Sequence, residues 1–219
     1  MIFNNQCRYK YFFIFCNLIF GLSFSSAQAQ SDKFIAGPLL GLYGVHIQGE
    51  NSELFSPTNG TISGTGGFSV GMNVKRYLSR NIYAALEMRY TRKGSIYAFT
   101  TTHGSQAFET IKLDYLEIPL LIGLRIQLMK KHLLAETGPV IGNLVRSKMT
   151  LNDLNKWDYS SILDNFRKYE ISWSANIKYP VINNEKLLLG IRFTYSLLSI
   201  HKDHKLHNMN YGIEVYYLL

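Results

Sequence analysis

The stretch LDYLEIPLLIGLRIQL, Leu113–Leu128, sets Leu116, Ile118, Leu120, Ile122, Leu124, Ile126 and Leu128 at every second position. Glu117, Pro119, Gly123, Arg125 and Gln127 fall between them. Alternate side chains of an extended strand point to opposite faces, so this period gives one apolar face and one charged face. A helix would spread Glu117 and Arg125 among the leucines, and Pro119 would remove a hydrogen bond from its interior. The segment is a strand. A tilted strand of about 9 to 11 residues already crosses a bilayer, so the apolar face is long enough to meet lipid along its whole length.

The same alternation recurs on both sides. Upstream, Ile82, Ala84, Leu86, Met88 and Tyr90 oppose Tyr83, Glu87, Arg89, Thr91 and Lys93, and before that Phe68, Val70, Met72 and Val74 oppose Ser69, Gly71, Asn73 and Lys75. A first strand over Phe34–Gln48 carries Ile35, Leu39, Tyr43, Val45 and Ile47 on one parity and His46 and Gln48 on the other. Downstream, a fifth strand from Leu133 to Leu144 is blurred by Gly138, Pro139 and Gly142, with Glu136 on the polar parity. Tyr169–Tyr179, Leu187–Tyr195 and Met209–Leu219 repeat the clean pattern, with Glu170, Lys178, Arg192 and Glu214 on the polar side. Turns are expected at Ser79–Asn81, Met129–His132 and Pro180–Glu185, and longer loops at Glu50–Gly67, Ser95–Thr110, Val145–Lys168 and Ile200–His207. A short helix is expected over Asp153–Phe166 within the longest of these.

Residues 1–29 read as a cleaved secretory signal: Arg8 and Lys10, then an apolar run from Tyr11 to Phe24, then Ala27-Gln28-Ala29 as a small-x-small cleavage site. Residues 30–219 then form one domain. Both cysteines, Cys7 and Cys16, lie within the signal, so the exported chain has no disulfide and no thiolate metal site. The formal charge of +8 falls when Arg8 and Lys10 are removed, yet the remainder stays basic. No concentrated Lys/Arg run accompanies it, so nucleic acid is excluded as a partner and anionic lipid is the expected counter-charge.

Eight strands, with short turns after the even ones and longer loops after the odd ones, specify an all-β, eight-stranded antiparallel up-and-down barrel of the bacterial outer membrane. Closure leaves no sheet edge unsatisfied in hydrocarbon. The lumen of such a barrel is just filled by side chains. Lys75, Glu87, Arg89, Glu117, Arg125, Glu136, Glu170, Lys178, Arg192 and Glu214 are expected to form its polar network, because buried charges are tolerated only as pairs. Pro38, Pro119 and Pro139 lack a ladder donor, and bulges are their expected accommodation. The competing fold is a secreted lipocalin-like barrel for a small ligand, with the apolar face turned inward.

Tyr115-Leu116-Glu117-Ile118-Pro119-Leu120-Leu121 resembles the YLEIPLLL signature of the PorT-like outer-membrane β-barrel family, and Glu87-Met88-Arg89-Tyr90-Thr91-Arg92-Lys93-Gly94 resembles that family's preceding strand. The resemblance implies a non-enzymatic role in the cell envelope and, for some relatives, a link to protein secretion through loops or periplasmic turns. An enzymatic reading would place catalysis on lipid or peptide at the outer rim, from Asp114, Glu109, His103 and Asp203. His201, His204 and His207, spaced by three, suggest a metal on a helical turn, but the segment reads better as a solvated loop. No cofactor is expected.

Overall fold

A computed structural model describes residues 34–49, 61–100, 106–128, 131–151, 165–182 and 186–219. The signal expected at 1–29, and the tip Asn183-Asn184, lie outside these residues, as does the helix expected over Asp153–Phe166 except for its last two positions. Nine strands are described: β1 Phe34–Gly49, β2 Thr61–Ser63, β3 Thr65–Tyr77, β4 Ile82–Thr100, β5 Gln106–Leu128, β6 Lys131–Leu151, β7 Tyr169–Pro180, β8 Leu187–Ser196 and β9 Leu206–Tyr217. All pairings are antiparallel. The order β4-β3-β1-β9-β8-β7-β6-β5 closes on itself through β4–β5. Eight strands therefore make the barrel, and β2 continues the line of β3 along the outer part of β4. The first and last staves zip together from Leu39↔Tyr216 to Gly49↔Leu206.

The outward face is apolar on every stave: Leu40 and Leu42 on β1, Val70 and Met72 on β3, Leu86 and Met88 on β4, and Leu116 to Leu128 on β5. Ile141, Ile171, Ile177, Ile191, Phe193, Ile213 and Val215 continue it around the ring. Ile122 is 55% exposed, whereas Glu87 and Arg192 are fully buried. A barrel in water has the opposite need, so this inversion sets aside the lipocalin-like fold and leaves the membrane-spanning one.

The structure corrects several of these expectations and settles the direction of β1. Ser95–Thr110 is largely strand: β4 and β5 remain paired to Thr100↔Gln106, because Thr, Tyr, Ile and Phe favour a pleated backbone and each strand satisfies the other's donors. Val145–Leu151 likewise belongs to β6, paired with β5 as far as Glu109↔Leu151. β5 is thus much longer than a bilayer crossing needs, and β4, β5 and β6 rise together beyond the apolar belt. On β1 the odd parity faces the lumen, with Leu39, Tyr43, Val45 and Ile47 buried, while Leu40 and Leu42 meet lipid. This strand is apolar on both faces, so its period alone left the direction open.

Bulges are not what accommodates the prolines. Each is paired with one neighbouring strand and faces a gap in the ladder on the other side. Pro38 pairs with Met72 but lies one residue short of the β9 ladder. Pro119 pairs with Val140, while the β4–β5 ladder skips it without losing register. Pro139 pairs with Trp173 and is skipped by the β5–β6 ladder. The β5–β6 ladder shifts register elsewhere, between Asp114 and Tyr115, passing over Val145.

The belt yields a direct test. In lipid vesicles Leu120→Arg, near the midplane, should cost about 2–4 kcal/mol of unfolding free energy, and Leu128→Arg, at the end of the belt, about 0–1 kcal/mol. Denaturant titration followed by tryptophan fluorescence measures both. Equal costs at the two positions would refute a membrane-embedded belt.

Candidate functional site

Strand parity decides which charges enter the lumen. β4 turns Glu87, Arg89, Thr91 and Lys93 inward, β5 Glu117, β6 Glu136, β7 Glu170 and Lys178, β8 Arg192 and β9 Glu214, and all are buried. They join in a single file of alternating sign. Near the outer end, Lys93 Nζ lies 2.8 Å from Glu170 Oε1 and 2.7 Å from Glu117 Oε1. Arg89 then bridges Glu117 Oε2, 2.9 Å from Nε, and Glu214 Oε1, 3.0 Å from Nη1. Arg192 bridges Glu214 Oε2, 2.9 Å from Nε, and Glu87, whose Oε1 and Oε2 accept from Nη2 at 2.7 and 2.8 Å. Lys178 closes the file between Glu87, at 3.6 Å, and Glu136, at 2.7 Å.

Neutral donors complete the carboxylates. Tyr43 and Tyr216 hydroxyls both donate to Glu214. Ser172, Ser196 and Asn208 donate to Glu170 at 2.6, 2.5 and 2.8 Å, Thr91 to Glu117 at 2.8 Å, and Asn73 to Glu87 at 3.2 Å. Tyr83 crosses Gly123 to donate to Glu136 at 3.0 Å. A Cβ at Gly123 would lie 2.2 Å from that ring, so the glycine is what lets the tyrosine pass. Charges removed from water need this completeness, since each ion costs several kcal/mol to desolvate.

Two apolar clusters close the file at its ends. Ile47, Tyr97, Ile111, Leu113, Tyr115, Leu144, Phe166, Ile200 and Leu206 pack at the outer end. Leu39, Tyr83, Ala85, Leu121, Leu134, Leu188, Tyr216 and Leu218 pack at the end of the short turns.

Of the residues expected in the network, Lys75 and Arg125 lie toward the short-turn end, beside Tyr77. Lys75 Nζ lies 5.2 and 5.7 Å from the Tyr77 and Tyr83 rings and 3.3 Å from the Tyr77 hydroxyl. Arg125 faces Tyr77 at 5.9 Å. Both belong to the short-turn end. Lys93, which was not among the expected residues, stands in the file as well, and its parity with Glu87 and Arg89 was the available signal. Tyr43 carried none, since it sits among apolar neighbours on β1.

Among the described residues, the rim candidates Asp114, Glu109 and Asp203 are not joined by a contact. Asp114 faces outward and is held by Arg92, with Nε to Oδ1 at 2.7 Å. Asp203 lies between β8 and β9, and β6 and β7 separate β8 from β5. Glu109 is on the outer part of β5, and His103 lies outside the described residues. In the 197–205 segment His201 is buried, and its Nδ1 accepts the backbone N–H of Asp203 at 3.2 Å and of His204 at 3.3 Å. That nitrogen serves the loop, and the ring packs edge-on against Phe166. His207 Nδ1 instead approaches the Ser196 carbonyl at 3.0 Å, and its ring stacks on Tyr195.

Removing one partner from the file should cost more than removing a matched pair. Arg192→Met should lose about 3–5 kcal/mol, because Glu87 and Glu214 stay buried with one cation fewer. Adding Glu87→Gln should recover part of that loss, read as the unfolding midpoint in vesicles. A second test concerns His201, whose pKa is lowered by burial first, then by the nearby His204 and Lys202, against an opposing Asp203. A base with a depressed folded pKa stabilises its neutral form, so loop stability is full above the usual histidine range and falls on acidification through it. Backbone 15N shifts of Asp203 and His204 should move together, with a midpoint below the ordinary histidine value.

No curated protein sequence matches the chain. Among solved structures, the attachment invasion locus protein Ail of Yersinia pestis is similar at 13% identity, covering 85% of this chain and 99% of that one, with a TM-score of 0.48. Neisserial surface protein A is similar at 12% identity, covering 84% and 96%, with a TM-score of 0.46. OprG of Pseudomonas aeruginosa is similar at 11% identity, covering 85% and 95%, with a TM-score of 0.42. The outer membrane protein beta-barrel domain family matches residues 20–202. The chain therefore belongs to the outer membrane protein beta-barrel domain family, and its place is the bacterial outer membrane.

Proposed function

We propose that this outer-membrane barrel is a non-enzymatic anchor and scaffold of the cell envelope, working through what it presents beyond the outer leaflet and at its short turns. The observation that carries this reading is the filled lumen. A file of paired charges runs between two apolar clusters, leaving the interior to structure. The extension of β4, β5 and β6 beyond the belt supports it, since it raises a paired, ordered surface where partners can reach it. The resemblance of the β4 and β5 segments to the PorT-like family adds protein secretion as the process served.

Two measurements test the reading. The full chain in planar bilayers should give no conductance steps. In a strain lacking the wild type, a variant whose β4–β5 hairpin is cut back to a short turn should remain in the outer membrane yet fail to support release of secreted proteins. Solute flux through wild-type bilayers, or full secretion with the shortened hairpin, would overturn it.

A further inference from the structure

The register shift between Asp114 and Tyr115 changes which side of β6 faces out. Below it, Leu134, Glu136, Val140 and Leu144 turn inward. Beyond Val145 the inward positions become Ser147, which is buried, and Met149, which packs on the outer apolar cluster. Arg146 and Lys148 are thereby turned to the outside. Without the extra residue they would have been driven into the lumen. A bulge that re-aims side chains in this way is a built feature of a sheet.

The re-aimed cations meet others across the strands. Arg146 pairs in register with Asp114, and Asp114 with Arg92. One step further out, Lys148 pairs in register with Lys112. With Arg92 and Arg146 one step below, they make this stretch of the outer face strongly cationic, which draws an anion toward it. Asp114 is the carboxylate among these residues, and Arg92 engages it through two bonds, Nε to Oδ1 at 2.7 Å and Nη2 to Oδ2 at 3.2 Å. Lys112 and Arg146 are exposed, and Lys148 takes part in contacts of its own.

The height of the row is fixed by its neighbours. Arg92 lies over the Phe68 ring at 5.2 Å and reaches the Tyr90 hydroxyl at 3.4 Å, and aromatic girdles mark the interface between hydrocarbon and headgroups. Directly below on the same face come Leu116, Ile118 and Ile141, all exposed, an apolar strip on which acyl chains can lie. The end concerned is that of the longer loops, facing the outer leaflet.

We propose that Lys112 and Arg146, with Arg92 and Lys148 beside them, form a binding site for the phosphate of an outer-leaflet lipid headgroup. The acyl chains run down the Leu116, Ile118 and Ile141 strip, and the cations take the phosphate as point charges and planar forks. The continuity of cationic row and apolar strip selects a lipid over a free anion.

The test uses the full chain in nanodiscs with phosphorylated lipid A, or with the same lipid after its phosphates are removed, and native mass spectrometry to count retained lipid. Wild type should retain the phosphorylated lipid preferentially. Lys112→Gln with Arg146→Gln should weaken retention about tenfold or more, as loss of two interfacial cations implies. Arg80→Gln, in the turn at the opposite end, should change nothing. Gel migration with and without heating verifies that each variant is folded, and if the double variant is not, the wild-type comparison of the two lipids decides alone. Equal retention of both lipids, unchanged retention by a folded double variant, or displacement of the lipid by inorganic phosphate would each overturn the site.

Discussion

The interaction on which the rest depends is the alternating file of charges inside the barrel. Hydrocarbon outside demands an apolar outward face, and strand pleat then sends every intervening residue inward. With eight strands the lumen has room for side chains and little else. Long charged chains fill that volume, but only where each meets its opposite. Arg89 and Arg192 both span Glu214, and Arg192 and Lys178 both span Glu87, so members drawn from six staves hold one another across the ring. β3 joins through Asn73 and Ser69, and β1 through Tyr43, whose hydroxyl meets both Ser69 and Glu214.

The apolar clusters at the two ends give the file its environment. They keep water from the paired charges, and a low local dielectric strengthens each satisfied contact as it penalises each unsatisfied one. This layering also accounts for β1. Read along its inward face, Leu39 belongs to one cluster, Tyr43 to the polar middle and Ile47 to the other. A strand that looked uniformly apolar is matched, position by position, to a lumen that is apolar, polar and apolar again.

The fold was legible because period two is a local property. β5, β7 and β8 keep an apolar outward face over the full belt, and Glu117 and Glu170 fell to the lumen by parity alone. What parity does not carry is height. Arg125 shares the inward face of Glu117, but eight residues along a tilted strand put it at the other end of the barrel, beside Tyr77. Lys93 is separated from Glu170 by 77 residues and from Glu117 by a hairpin, and only the closed ring sets them around one ammonium group. The hairpin beyond the belt was hidden for another reason. Ser- and Thr-rich sequence is as compatible with a two-stranded ladder as with a loop, and the choice rests on the partner strand rather than on the segment itself.

Irregularity is confined to places where it has a use. The prolines stand where one neighbouring ladder is interrupted, so each missing donor coincides with a local gap and the register is kept on either side of Pro119 and Pro139. The register shift on β6 comes within the outer apolar cluster, just beyond Leu144, and the same shift turns Arg146 and Lys148 toward the headgroup level. A core paired along its length resists rearrangement, since any opening would separate several ion pairs at once and leave buried charges unmatched. Variation that touches neither the file nor the belt is therefore tolerated mainly beyond the outer interface. That is where β4, β5 and β6 extend past what the bilayer requires, and where a rigid barrel can hold an ordered surface at a fixed height above the lipid.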